Sequence, residues 1–210
     1  MDNVKGISRK ERAARTRRAI VKAATVEFRA NGYHGTTMTA IAKRAGVVVQ
    51  TVYFVFHTKP LLLTATIDNA VTGEHDPLPP ELTSWWQEGT TTANGRLAIE
   101  LFVTNVALIE ARAATINRVA VAAATTDSEI VDVLAHHDSL RVAGFRNYVD
   151  TLVIRGLLRD GLDAAEATDV LLTLAGSDVF LNFTEDRGWP VKRYVAWTAD
   201  ALCALLLPLR

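Results

Sequence analysis

The chain is poor in the residues that covalent chemistry and secretion require. Its 210 residues hold one cysteine, Cys203, so no intrachain disulfide framework can form, and a reducing cytosol suits it. It has no uninterrupted apolar run of the roughly 18 residues that a membrane helix needs. The N-terminus is charged throughout with no apolar signal core, so the expected location is cytoplasmic, with no membrane partner. There is no G-x-S-x-G elbow, no phosphate-cradling glycine loop and no H-E-x-x-H pair, and Cys203 lies in an apolar stretch without a histidine partner. The His136-His137-Asp138 run invites a metal reading, but neighbours on a helix diverge by about 100° and do not share one ion. No catalytic residues, metal or cofactor are expected. Net charge is zero as well, with 23 basic and 23 acidic residues.

That zero conceals a division. Residues 1–60 carry 12 Lys+Arg against Asp2, Glu11 and Glu27, a net of +9, so the remaining 150 residues carry −9. Such asymmetry points to a polyanion for the basic end, because lysine and arginine gain by displacing condensed counterions from phosphates. Seven of the charges fall between Lys5 and Arg18, which on its own fits a solvated basic tail equally well.

The basic segment has helical punctuation. Residues 1–7 look disordered; Ser8 with Glu11 forms a capping box, Ile20, Val21, Ala24 and Phe28 make an apolar stripe, and Asn31-Gly32 ends the helix. Thr37 caps a second helix reaching about Ala45, and Gly46 turns the chain. The next stretch, VVVQTVYFVF, has strand propensity. Its spacing argues otherwise: small Ala42, Gly46 four residues on, and Val52 six further are the close crossing, turn and core pin of a helix-turn-helix. Thr58 caps a fourth helix, with Pro60 in its first turn and an end near Gly73. His75 to Pro80, the only proline cluster, is the linker candidate.

Helical periodicity runs on from Glu81. Ile99, Phe102, Val103, Val106 and Leu108 read as a buried helix. Thr126-Asp127-Ser128-Glu129 reads as a capping box opening a helix towards Leu158, with Gly161 breaking it. Asp163 and Glu166 start a helix that ends at Gly188, and Trp189-Pro190 start the last. No convincing strand remains, so the expected class is all-α: a three-helix helix-turn-helix head over residues 1–58 and a helical body over 59–210, about nine helices together.

From Ala23-Ala24 and Phe28 through Gly32-Tyr33, Thr36-Thr37, Ile41-Ala42, Ala45-Gly46-Val47, Thr51-Val52-Tyr53, Phe56, Lys59 and Leu62, the chain resembles the tetracycline-repressor (TetR) family of bacterial transcription regulators. The resemblance covers roughly residues 15–65; the body matches in length and helical content alone. Two positions depart from the family pattern: Val48 stands where it has a small or polar residue, and Val55 where it often has His or Tyr.

The resemblance places Thr51 and Tyr53 at DNA-contact positions, where their hydroxyls can donate to phosphate oxygens. Gln50 has the amide that pairs bidentately with adenine. Lys59, opening the fourth helix, and Thr37, opening the second, could each hold a phosphate at free helix N–H groups. Arg44 lies near the turn within reach of the DNA backbone, and Arg12, Arg15 and Arg18 form a candidate arm. Val48, Val49, Phe54 and Val55 cannot all be buried on one helix, so some must face DNA, where thymine methyls are their natural contact.

The resemblance also implies a ligand pocket in the body, for which the candidates are Trp85, Trp86, Phe102, Asn105, Phe145, Tyr148 and Asp178. Ala175, Gly176 and Ser177 would let helices approach closely, with Leu171, Leu174, Val195, Trp197, Leu202 and Leu205 supplying apolar area for a four-helix homodimer interface of more than about 1,200 Å². The expected function is a homodimeric repressor released from a palindromic double-stranded operator by a small-molecule effector. A ligand-independent or activating DNA binder, and an all-α enzyme or carrier with a relict head, remain as alternatives.

Overall fold

Short polar caps divide the chain into helices, and one long central helix ties them together. The computed structural model describes residues 8–73 and 78–208. The helices are α1 (Arg9–Gly35), α2 (Met38–Ala45), α3 (Val49–Phe56), α4 (Lys59–Thr72), α5 (Ser84–Thr91), α6 (Gly95–Ala124), α7 (Ser128–Ile154), α8 (Ala164–Leu174), α9 (Ser177–Leu181) and α10 (Val191–Leu206). No strand occurs among the described residues. Residues 1–7, and the Asp76-Pro77 part of the linker with His75 before it, lie outside them.

The expected caps form. Ser8 accepts from the Glu11 N–H while Glu11 accepts from the Ser8 N–H. Thr37 accepts from the Ala40 N–H at 3.1 Å, Thr58 from Leu61 and Asp163 from Glu166. The β-branched run is helical over Val49–Phe56: burial of Val52 and Phe56 against the head core overrides its strand propensity.

Other boundaries differ from the sequence reading. At Gly32 (φ 66°) α1 kinks, and one more turn carries the helix to Gly35. α7 is capped by Asp127, whose side chain accepts from the Glu129 N–H, so Thr126 is not the cap. α7 stops at Ile154, short of Leu158, because Gly156 turns the chain at φ 64° and the segment beyond is drawn across the end of α10. There the Arg159 backbone N–H donates to Leu206 O and its Nε to Leu205 O. The helix expected from Asp163 to Gly188 is interrupted at Gly176, which is extended, and ends in a π-helical turn over Asn182–Asp186. Leu108, expected inside, is exposed.

α6 is the axle of the molecule, packing on α1, α4, α5, α7, α9 and α10. Its C-terminal half, with Ile116, Ala120 and Ala123, joins α1–α4 and Ile130 of α7 in one apolar core. Its N-terminal half, with Ile99, Phe102 and Val106, belongs to a second core with α5, α7, α8 and α10. Arg112 of α6 grips the end of α4: Nε donates to Ala70 O at 2.8 Å and Nη2 to Val71 O at 3.2 Å. These carbonyls at a helix C-terminus carry partial negative charge, which suits a guanidinium. Arg29 of α1 in turn donates to the Arg112 carbonyl at 2.6 Å. A second tie joins α4 to α7, where His137 Nε2 lies 3.1 Å from Asp68 Oδ1 and Nδ1 lies 2.8 Å from Val133 O. Both partners are acceptors, so the geometry calls for the doubly protonated ring.

Candidate nucleic-acid interface

α2 and α3 cross with a glycine between them. Gly46 adopts φ 70°, ψ 31°, the left-handed conformation that costs other residues steric energy. The Val47 N–H then reaches back to Ala42 O at 3.0 Å, closing the turn. Ile41, Ala42, Val52 and Phe56 are buried, and Val49 and Val55 pack partly against them. Burying that face turns Gln50, Tyr53, Phe54 and His57 outward, the i, i+3, i+4, i+7 stripe of one helix side. Val48, ahead of the first turn, is also exposed. Of the four apolar residues that could not all be buried, Val49 and Val55 are drawn towards the core while Val48 and Phe54 stay out, at 65% and 82% exposure.

Two of the basic residues expected on the DNA backbone, Lys59 and Arg44, have intramolecular partners that the sequence did not announce. Lys59 Nζ donates to Tyr33 O at 2.9 Å and Thr36 O at 3.1 Å, and sits 4.1 Å from the Tyr33 ring centroid. It staples α4 to the end of α1, and burial holds its pKa below the ordinary lysine value. Two of its three donors thus serve carbonyls, which leaves one for a phosphate. Arg44 donates through Nε to Glu27 Oε1 at 2.6 Å, and Asn31 donates to the other Glu27 oxygen. This ion pair fixes α2 on α1. Thr37 caps α2 through its oxygen, which leaves its hydroxyl hydrogen available to a phosphate. The basic arm is helical from Arg9, not loose, and Arg12, Arg15 and Arg18 lie exposed on it, while Arg17 stacks on Phe56 at 4.5 Å. His57, between α3 and α4, has φ 57°, ψ −55°, and the Thr58 N–H donates to Phe56 O across it at 2.6 Å. Among the described residues no other non-glycine has positive φ.

In the body, five of the seven pocket candidates pack against one another in an aromatic cluster. Trp85 meets Trp86 at 5.6 Å, Trp86 meets Tyr148 at 5.1 Å, and Phe102 meets Phe145 and Tyr148 at 4.9 and 4.6 Å. The Tyr148 hydroxyl donates to Ala98 O at 2.7 Å, and burial raises its pKa. Gly89 lets α5 close on that hydroxyl, since a Cβ there would lie 2.2 Å from it. Asn105 donates to Leu101 O of its own helix, and Asp178 is exposed at the start of α9, so neither joins the cluster.

A polar group missed by sequence reading lies where α8 breaks. Glu110 of α6 is buried and accepts from Ser177 Oγ at 2.6 Å, while Asn117 donates to the same hydroxyl at 3.1 Å. Burial pushes the Glu110 carboxyl up to about 7, against the opposing pull of the Ser177 hydrogen bond and the Arg141 charge. Tyr194 of α10 donates to Leu174 O at 3.0 Å, and the Thr198 hydroxyl is buried near it. The signal was present: Phe102, Val103, Val106 and Ala107 set a helical stripe whose next member is residue 110. A shallow groove of about 370 Å³ opens elsewhere, between the end of α1 at Tyr33-His34 and α6 at Arg118-Val119.

The residues expected at a dimer interface divide. Leu171 and Leu202 have no exposure and Gly176 is buried against Leu172 O, so these three close the protomer core; here the sequence expectation is corrected. A stripe along a helix cannot distinguish its own core from a partner's. Trp197 and Leu205 remain exposed on α10, at 39% and 46%, and Leu174 and Val195 are half-buried.

Among the described residues no helix is long and apolar enough to cross a membrane, and no group of three or more His, Cys, Asp or Glu is placed to hold a metal ion. Residues 20–66 match the model of the bacterial regulatory proteins of the tetR family. No curated protein matches the chain. Solved structures do. NalD of Pseudomonas aeruginosa, the secondary repressor of the MexAB-OprM multidrug efflux pump, is 20% identical with a TM-score of 0.70, covering 93% of this chain and 98% of its own. The transcriptional regulator FadR of Bacillus subtilis, solved with stearoyl-CoA, is 16% identical with a TM-score of 0.69, covering 88% and 96%. A Mesorhizobium loti protein described as a TetR-family transcriptional regulator is 21% identical with a TM-score of 0.67, covering 93% and 98%. With its head matching the tetR-family model and its helices superposing along nearly the whole length, the chain has the fold of a TetR-family DNA-binding transcriptional regulator.

Proposed function

We propose that the chain is a homodimeric repressor that holds a palindromic double-stranded operator through α2 and α3 and releases it when a small-molecule effector binds the body. The observation that carries this reading is the outward stripe of α3, presented by a segment of net charge +9. Gln50 reads a base edge; Thr51, Tyr53 and Thr37 touch phosphates; the helical arm carrying Arg12, Arg15 and Arg18 supplies sequence-independent attraction. Residues 1–58 are the head and 59–210 the effector and dimerisation body. The half-exposed Trp197 and Leu205 face of α10 is the seam with the second copy, which sets two heads about 34–36 Å apart, one DNA turn. The repressor role of NalD and the ligand held by FadR support the choice of regulator class.

The effector reading requires reciprocal coupling: effector and operator must weaken each other by one common factor, about 5–150-fold for 1–3 kcal/mol. A second reading, a ligand-independent regulator, is favoured by the close mutual packing of Trp86, Phe102 and Tyr148 among the residues nominated for a pocket. The test of the DNA reading is selection of a duplex from a random pool, followed by affinity against salt. A steep fall is expected, because several phosphates are neutralised at once. Binding indifferent to salt sinks the proposal, and a monomer by light scattering at micromolar concentration sinks its dimeric part.

A further inference from the structure

Phe54 and Val48 are the two most exposed large apolar side chains among the described residues of the head, at 82% and 65%. The packing of α3 puts position 54 outside, but it does not account for an apolar side chain at either place. That helix is held by Val52 and Phe56, and Phe54 lies two residues from each, about 200° round the helix from both. Val48 sits ahead of the first turn, at the helix end whose residues come nearest base edges in helix-turn-helix proteins.

A phenyl ring and an isopropyl group have no donor for a phosphate oxygen, and no charged residue lies on α3 itself, although the surrounding segment is strongly basic. The charge draws a polyanion to this face, and the face then offers it apolar surface. On double-stranded DNA the major groove displays one apolar group, the thymine 5-methyl. The geometry points to Phe54 and Val48 as thymine-methyl readers, so that operator half-sites are chosen partly for methyl groups and not by hydrogen-bond pattern alone. The inference rests on the DNA-binding reading and adds the chemical feature recognised.

Replacing thymine with deoxyuridine in the selected operator deletes the methyl and keeps the O4 acceptor and the base pairing. Substituted one position at a time, wild-type protein should lose about fourfold in affinity for each methyl it buries, at one or more positions of each half-site. Phe54→Ala and Val48→Ala should each bind thymine and deoxyuridine equally at its own position, with an unchanged salt slope; Phe54→Leu should keep part of the preference. Both side chains are exposed, so thermal unfolding of the variants should match wild type and confirm that they are folded. Equal binding of thymine and deoxyuridine at every position by wild type overturns the inference while the DNA-binding reading stands. So does an unchanged preference in both alanine variants. Failure to bind any duplex in a salt-dependent way is a different result, and it overturns the DNA-binding reading itself.

Discussion

The head and the body break the usual partition of side chains in opposite senses. In the head, Phe54 and Val48 are apolar and outside. In the body, Glu110 is an acid and inside. Each misplacement costs free energy in the isolated protomer, through exposed apolar area in one case and a desolvated carboxyl in the other. Neither residue type lowers the free energy of the fold at its place, and that is what makes a surface apolar group or a buried charge more informative than any residue in its ordinary place. The two sites also differ in what would relieve them: a surface with methyl groups for the head, a proton or a cationic or hydrogen-bonding group for the body.

The largest effect that can break this contrast comes from treating two phenylalanines alike. Phe102→Ala should destabilise the protein by about 3–5 kcal/mol, as emptying a packed aromatic core does. Phe54→Ala should leave stability within about 0.5 kcal/mol. Urea denaturation of both variants decides the matter; comparable losses would mean that Phe54 is structural.

Next in size is the acid. The Glu110 carboxyl titrates at about 7 when folded, against an ordinary value of 4.5, so the folded state retains a proton that the unfolded chain releases. Its contribution is complete below about 4.5 and is lost as pH rises towards 7, at most ~3 kcal/mol in all. Glu110→Gln keeps an acceptor for Ser177 and should flatten this part of the stability profile, leaving the variant more stable than wild type above pH 7. Identical urea midpoints for the two proteins across pH 4.5–7.5 would remove Glu110 from the comparison. His137 also loses stabilisation as pH rises, because its Asp68 and Val133 hydrogen bonds raise its pKa despite burial, but that slope is common to both proteins and cancels in the difference.

A smaller test falls at the join of α3 and α4. His57 holds φ 57°, a conformation that glycine accepts without strain, so His57→Gly should raise stability by about 1 kcal/mol in thermal or urea unfolding. A loss would show that the imidazole makes a contact worth more than the strain.

The head was legible in sequence because its instructions are local. A cap, a small residue, a glycine and a core pin lie within a few positions of one another from Thr37 to Val52, and together they outvoted the strand propensity of the VVVQTVYFVF run. What sequence could not supply was the second partner of each polar residue. Lys59 and Arg44 look free until the chain brings Tyr33 O and Glu27 to them from 26 and 17 residues away. In the body the periodic stripes were right, but a stripe does not say which neighbour covers it. The stripes of Leu171 and Leu202 suit a partner equally well, yet both side chains pack inside the protomer, in one core with Trp86, Phe102, Phe145 and Tyr148. Glu110 is hard to read as buried because an acid ordinarily ends an apolar stripe.

Glu110 shares its helix with Arg112, the residue that grips the end of α4. Two positions along an α-helix is a rise of about 3 Å and a rotation of about 200°, so the carboxylate faces the broken α8–α9 rod while the guanidinium faces the rod that carries the reading head. The buried acid of the body and the head's tether are thus front and back of a single helical turn. On the proposed reading, a displacement of the α6 backbone at Glu110 would be shared directly by Arg112, and regulation would then need no pathway longer than the thickness of one helix.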